Sequence, residues 1–374
     1  MYPSAPIVSK VVVVGGGVFG VSAALHLARQ GVRTVLVNDG PLASGASGRS
    51  LAWLNSARRR SADYHYLRLA GIDRYRTLAA KHPGAAWLRF HGGLTWDADD
   101  AKNEIATVFA HERSIGYDAR LLSAEEIGSI TPGVDVRSVP PQGAIFNPGE
   151  GWVDLPSLID LLVNEFQTLG GEVVTDGGRA KLLARGGRAG GVVLENGSEI
   201  GADAVLLATG AAVPSMAMDI GKTIPDATPI ALLVRTEVID HPLEAVLNTP
   251  RVAIRPMPTG GFALDSAWSE EEVLTHADGT HHVNQATIHG LLEEASKVLA
   301  GNPKLAVASY SIGPKPIPGD GEPVFGPLKE MDGCYVAFSH SGATLGLIAG
   351  ELLAGEIATG EANPLLYPFR PERF

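Results

Sequence analysis

Two rhythms of apolar residues alternate along the chain. Lys10-Val11-Val12-Val13-Val14 is apolar at four successive positions, the pattern of a strand buried on both faces, as in a parallel sheet. After three glycines, Val21-Ser22-Ala23-Ala24-Leu25-His26-Leu27-Ala28-Arg29-Gln30 reads as a helix closed by Gly31, and Thr34-Val35-Leu36-Val37 as a second apolar strand. Helical spacing returns over 63–81, with Tyr64, Leu67, Leu69, Ile72, Tyr75 and Leu78. It recurs around Glu104, Ile105, Val108 and Phe109, and over 151–169, closed by Gly170-Gly171. A last amphipathic helix is predicted over 283–299, burying Ile288, Leu291, Leu292, Ala295 and Val298. Strands are predicted near Gly92-Gly93, over 172–175, at a hairpin turning on Asn196-Gly197, over 202–210, 230–234, 252–257 and 260–264, and over 334–338. The alternation near both ends predicts an α/β domain with a parallel sheet, from 7–84, 145–225 and 310–374. The strand-rich stretches 85–144 and 226–309 predict a second domain with a mostly antiparallel sheet.

The turn after the first strand carries the most specific chemistry. Gly15-x-Gly17-x-x-Gly20 lies between a strand and a helix, the context that makes this spacing a dinucleotide fingerprint. Gly15 permits the tight turn, Gly17 lets backbone approach a pyrophosphate, and Gly20 lets helix and strand pack closely. The free N–H groups and positive dipole end of the helix then hold the anion. The acid expected at the end of the second strand is replaced by Asn38, with Asp39 beside it, and either residue is a candidate for the ribose contact. The following run, 40–50, is rich in Gly and Ser. Its backbone N–H groups, the Ser47 hydroxyl and Arg49 suit a phosphate or a ring oxygen.

Composition narrows the class. At 374 residues two domains are expected, and 45% hydrophobic content with 45 glycines suits a compact α/β chain. Thirty Lys plus Arg against 41 Asp plus Glu give a net charge of −11, which argues against nucleic acid and anionic membrane as partners. The one cysteine, Cys334, precludes an intramolecular disulfide and points to a reducing compartment. Residues 1–6 carry no basic segment followed by an apolar core, and no run of about 20 apolar residues occurs, so a cytoplasmic protein with no integral membrane segment is expected. His276, His281, His282 and His289 cluster, but no carboxylate or cysteine spacing accompanies them, and no metal is expected. Arg58-Arg59-Arg60 is either a solvated turn or an anion-steering patch.

Three quoted stretches together resemble a family. VVVVGGGVFG with GASGRS, then the loop Gly313-Pro314-Lys315-Pro316 through Asp320-Gly321-Glu322-Pro323, then Ser339-His340-Ser341-Gly342 opening a helix to Glu356, are similar to the FAD-dependent amine and D-amino-acid oxidase superfamily. Glycine and sarcosine oxidases and D-amino-acid dehydrogenases belong to it. The resemblance implies a Rossmann-like FAD-binding domain and a substrate domain, with FAD contacted by Gly15, Gly17, Val18, Phe19 and Gly20 and by Asn38 or Asp39. It adds Gly45, Ala46, Ser47, Arg49 and Ser50 from the second loop, Ala180 near the middle hairpin, Thr209 and Gly210, Gly313, and Ser341, Gly342, Ala343, Thr344 and Leu345 at the last helix start. Lys315 stands where the family loop has arginine.

The implied reaction is hydride transfer from the carbon beside a neutral amine to flavin N5, giving an imine that water hydrolyses. Substrate is a small amine or amino acid, and oxygen or a quinone takes the electrons. Arg255 is the first candidate for a substrate carboxylate, the alternative being a surface arginine. His340 is either a turn residue or a group beside the flavin, where the helix dipole stabilises charge on reduced flavin. Relatives with covalent flavin carry a cysteine before the Asp320-Gly321 loop; here 309–318 has none, so non-covalent FAD is expected. Sarcosine-oxidase-like relatives place an oxygen-activating lysine at a position matching Ala263, and no lysine lies between Lys222 and Lys297, so reaction with oxygen is expected to be slow, the alternative being that Lys315 or His340 supplies the charge from the other side. The rival readings are a hydroxy-acid oxidase or dehydrogenase on the same fold, and an FAD-holding subunit of a larger dehydrogenase complex.

Overall fold

The computed structural model describes residues 6–374. Residues 1–5, on which part of the expectation of no leader rests, lie outside them. The chain divides into two compact units. The first joins the N-terminal segment through Gly48 with Leu155–Pro229 and Pro314–Phe374; the second joins Arg49–Asp154 with Ile230–Gly313.

The core of the first unit is a six-stranded sheet in the order Val324–Pro327, Cys334–Phe338, Ala204–Leu207, Lys10–Val14, Arg33–Val37, Glu172–Val174. All its pairings are parallel except the one at the Val324–Pro327 edge. Lys10–Val14 sits between Ala204–Leu207 and Arg33–Val37, and its four valines are buried, which explains the uninterrupted apolar run. The helix Val18–Arg29 leaves this strand through the glycine turn and ends before Gly31, whose φ of 80° only glycine adopts freely. It packs against the closing helix Gly342–Thr359. There Gly342, Gly346 and Gly350 recur every fourth residue, and a Cβ at Gly346 would collide with Val18 and one at Gly350 with Ser22. The Ser22 hydroxyl donates to the Leu347 carbonyl at 3.3 Å. The two helices approach closely because this stripe has no side chains.

The second unit is built on an eight-stranded sheet, in the order Val307–Pro314, Ile230–Thr236, Phe262–Asp265, Ala253–Pro256, Val246–Asn248, Gly93–Thr95, Ala144–Asn147, Arg120–Leu122. From Ile230–Thr236 to Arg120–Leu122 its pairings are antiparallel except Val246–Asn248 against Gly93–Thr95. Leu232, Val234, Ile254, Phe262 and Leu264 on one face pack with Ile288, Leu291, Leu292 and Ala295 of the helix Gln285–Val298. The expected fold class, a parallel-sheet domain with a mostly antiparallel second domain, is the one found.

Two expectations shift. The helix predicted over 151–169 begins only at Leu155, and Gly151–Val153 is a strand. It pairs with Trp53–Leu54 and Leu88–Arg89, and any Cβ at Gly151 would strike the Arg89 carbonyl, so the glycine serves a close strand crossing rather than a helix start. That small sheet also ties 49–84 and 145–154 to the second unit, whereas the pattern had grouped them with the first. Among the described residues no helix is long and apolar enough to cross a membrane, and no cluster of His, Cys, Asp or Glu has a metal-binding arrangement.

Candidate active site

The glycine turn of the first unit is shaped for a phosphate. Gly15 has φ of 119°, and a Cβ there would collide with the Ala208 carbonyl; a Cβ at Gly20 would collide with the Gly15 carbonyl. At Gly17 a Cβ would meet only the Ser47 hydroxyl, at 3.2 Å, so glycine there keeps open the approach to the helix start. Gly17 caps the helix without a side chain, and the first turn holds no acid. Val18 N donates to Ser47 Oγ at 3.1 Å, which docks the 3-10 turn Ala46–Arg49 beside the glycines. These features fit a dinucleotide pyrophosphate.

Asn38 has another duty than the one expected. Its Oδ1 accepts from Gly16 N at 2.7 Å, and its Nδ2 donates to the carbonyls of Gly40 and Pro41, both at 2.9 Å. The amide is thereby committed to pinning the glycine turn. Asp39 is exposed, 3.6 Å from Arg179 Nε. Ala180 begins the hairpin strand next to Arg179. Thr209 donates to Met216 Sδ at 3.4 Å, and Gly210, with φ of 60°, turns the chain after the strand Ala204–Leu207.

The second helix start repeats the logic of the first. Ser341 is the N-cap of Gly342–Thr359, its side chain makes no cap bond, and no acid lies in the first turn. A Cβ at Gly342 would sit 3.6 Å from both Phe19 and Val18, so the two helix starts lie side by side in one unit. Phe19 itself stacks edge-on with Phe325, ring centres 5.5 Å apart. Ala343, Thr344 and Leu345 are buried in the first turn, whereas His340 is exposed just before it. Lys315 is half-buried, and its N–H donates to the Pro229 carbonyl at 2.9 Å.

Arg49, Ser50, Gly313 and Arg255 belong to the second unit. Gly313 backs onto the Arg49 guanidinium, where a Cβ would lie 2.6 Å from Nε. The Ser50 hydroxyl accepts from Ala52 N at 2.9 Å. Arg255 is only 4% exposed, and its Nε has no hydrogen-bond partner. Its guanidinium lies 5.3 Å from the centre of the Trp152 ring, donates to the carbonyl of the next residue, Pro256, at 3.2 Å, and stands 3.9 Å from Asp154. Burial lowers its pKa to about 10, so it stays charged at neutral pH. A surface arginine it is not.

Sequence reasoning missed a buried polar network in the same unit. Glu150, fully buried, accepts from the Tyr117 hydroxyl and from Ser56 N, while its other oxygen has no partner. Ser56 Oγ and His65 Nδ1 are 2.8 Å apart, and Glu112 accepts from Asn147 at 2.9 Å and from Arg58 N at 2.6 Å. Desolvation pushes Glu150 up to about 8 and raises Glu112, and burial lowers His65. The only cue was an acid flanked by Gly149 and Gly151. Arg58 also pairs with Asp97, Arg59 lies 3.5 Å from Glu104, and Arg60 lies over the Tyr64 ring, so the three arginines are not a simple solvated turn.

A sequence model of FAD dependent oxidoreductases (DAO) matches residues 10–356. The chain belongs to this family. As a DAO-family enzyme it depends on FAD, and the cradle described above fits that cofactor. Mitochondrial sarcosine dehydrogenase of Mus musculus is 24% identical to this chain over 397 aligned residues; the match covers 100% of the chain, which spans 42% of that relative's length. The uncharacterized oxidoreductase YurR of Bacillus subtilis (strain 168) is 24% identical, over 96% of the chain and 98% of the relative. Glycine oxidase from Geobacillus kaustophilus shares the DAO fold with a TM-score of 0.81 at 20% identity, over 98% of this chain and 99% of that one.

Proposed function

We propose that the protein oxidises the C–N bond of a small amino acid, of the D-amino acid, glycine or N-methyl type, rather than the C–O bond of a hydroxy acid. The buried Arg255 carries the reading. A guanidinium that is 4% exposed with a bare Nε is a costly arrangement unless an anion completes it, and a carboxylate matches its fork. The similarity to a sarcosine dehydrogenase and a glycine oxidase supports an amine beside that carboxylate. Bound FAD supplies the hydride acceptor. The glycine turn, with Ser47 and Asp39, holds its pyrophosphate and ribose, and the start of the helix Gly342–Thr359 offers a positive dipole end to its ring. Arg255 orients the substrate through the carboxylate while Trp152 fixes the guanidinium plane.

Cys334, buried in the sheet with its thiol pushed up to about 12, is poorly placed for a covalent link, and FAD is held non-covalently. Ala263 brings no lysine to the sheet, and a quinone or dye is the preferred acceptor over oxygen. A single buried cysteine also suits a reducing, cytoplasmic setting. The test is anaerobic mixing of the yellow protein with a panel of amino acids, N-methyl amino acids, amines and hydroxy acids. Bleaching by amino acids is expected; bleaching by hydroxy acids alone would replace this reading with its rival, and a protein that no substrate bleaches would favour an FAD-holding subunit.

A further inference from the structure

Arg255 is not the only cation on its side of the sheet. Ala263 pairs directly with Arg235 on one neighbouring strand and with Arg255 on the other. Opposed residues in antiparallel strands point to the same face, so the row reads cation, methyl, cation. Val234, Leu264 and Ile254, one residue along each strand, belong to the apolar core on the opposite face. Placing two guanidiniums on one desolvated row is unfavourable by itself: burial lowers the pKa of both, and Arg235 lowers that of Arg255 further.

Asp154 is the carboxylate that acts on both arginines. Its separation of 3.9 Å from Arg255 is too long for a hydrogen bond, so it tempers the charge without filling the fork. Arg235 is oriented by a bond from its Nη1 to Ser311 Oγ at 3.1 Å. Two guanidiniums against one carboxylate leave the trio with a single positive charge. A site carrying one net charge suits one negative group, and small Ala263 puts the least bulk between the two forks.

We propose that Arg235 joins Arg255 in a two-fork seat for one substrate carboxylate, and that Asp154 sets the charge of this seat. The protein then selects monocarboxylic amino acids over dicarboxylic ones and over amines lacking a carboxylate. This rests on the amino-acid reading above and adds to it a specificity residue and a charge rule.

The test uses the holoenzyme with a dye as acceptor, and compares the best amino acid with its amide. Arg235→Ala is expected to raise KM for the acid about tenfold or more while leaving KM for the amide and the flavin content unchanged, the size expected for one lost charge-assisted contact. Arg235→Lys should recover part of the loss. A binding arm uses propionate and succinate, titrated calorimetrically without turnover. Asp154→Asn should shift the ratio of affinities toward succinate by about tenfold, because the trio then carries one more positive charge. An acid-to-amide ratio unchanged in fully flavinylated Arg235→Ala would overturn the proposal, as would a propionate-to-succinate ratio indifferent to Asp154→Asn. If no amino acid bleaches the flavin yet propionate binding falls in Arg235→Ala, the oxidation reading fails and the seat stands. If amino acids are oxidised but propionate binding ignores Arg235→Ala, the seat fails alone.

Discussion

Individual residues in this protein are placed by what surrounds them more than by their type. Glu150 is the sharpest case. Its folded pKa lies above the ordinary carboxylate value, so the folded state binds the proton more tightly than the unfolded chain. The stability it contributes is fully present below about 4.5 and is lost as pH rises through about 8. His65, lowered by burial, acts in the opposite sense, contributing above its ordinary value of 6.5 and losing that contribution as pH falls. Glu150→Gln keeps a carbonyl for the Tyr117 hydroxyl but cannot titrate. We expect its melting temperature to fall less than that of the parent between pH 5 and pH 8, about the window of that titration, in parallel thermal scans. Equal slopes for the two proteins would show that Glu150 does not hold its proton. A second residue-scale test concerns the cradle. At Gly17 a Cβ is sterically tolerable to the protein, so Gly17→Val should fold yet emerge colourless, with flavin content near zero by absorbance.

At the scale of elements, the closing helix Gly342–Thr359 offers a contest between two effects of known sign. Replacing an exposed helical glycine by alanine gains about 1 kcal/mol. Gly355 has open space around its missing Cβ, and Gly355→Ala should stabilise by roughly that amount. Gly346→Ala on the same helix drives a methyl into Val18 and should instead destabilise by about 1–3 kcal/mol in urea titrations. The strands and helices were largely readable, because burial on both faces and helical spacing write themselves into the order of residues. Cys334–Phe338 agrees with its expected span, and Ala62–Lys81 and Gln285–Val298 fall within two residues of theirs. The nucleotide turn was readable for the same reason: its chemistry is local. What escaped was non-local. Gly151 looked like a helix opener until its crossing partner Arg89 was known. The kinship of Arg235 with Arg255 exists only through the strand between them, and nothing in the order of residues shows the carbonyls that Asn38 reaches.

On the scale of the whole molecule, the chain carries a net charge of −11, yet its candidate substrate seat is cationic. Binding of an anionic substrate should therefore weaken as salt rises, while dye-only reactions change little. Acid precipitation should leave all flavin in the supernatant, and colour in the pellet would contradict non-covalent attachment. Mixing the reduced enzyme with air-saturated buffer should give reoxidation slow against that by a quinone. Fast reoxidation would show that the row around Ala263 activates oxygen without a lysine.

The order in which the central sheet is assembled has a consequence for biogenesis. The strand Ala204–Leu207 leaves the ribosome about 190 residues after its neighbour Lys10–Val14, and Cys334–Phe338 later still. At about 5–20 residues per second, the four valines wait on the order of ten seconds or more with one hydrogen-bonding edge unpaired. Such an edge is an invitation to other nascent chains. Overproduced protein should thus partition into inclusion bodies in proportion to translation rate, and slower synthesis or a holdase that shields the first strand should raise the soluble yield more than any change in the stability of the finished fold.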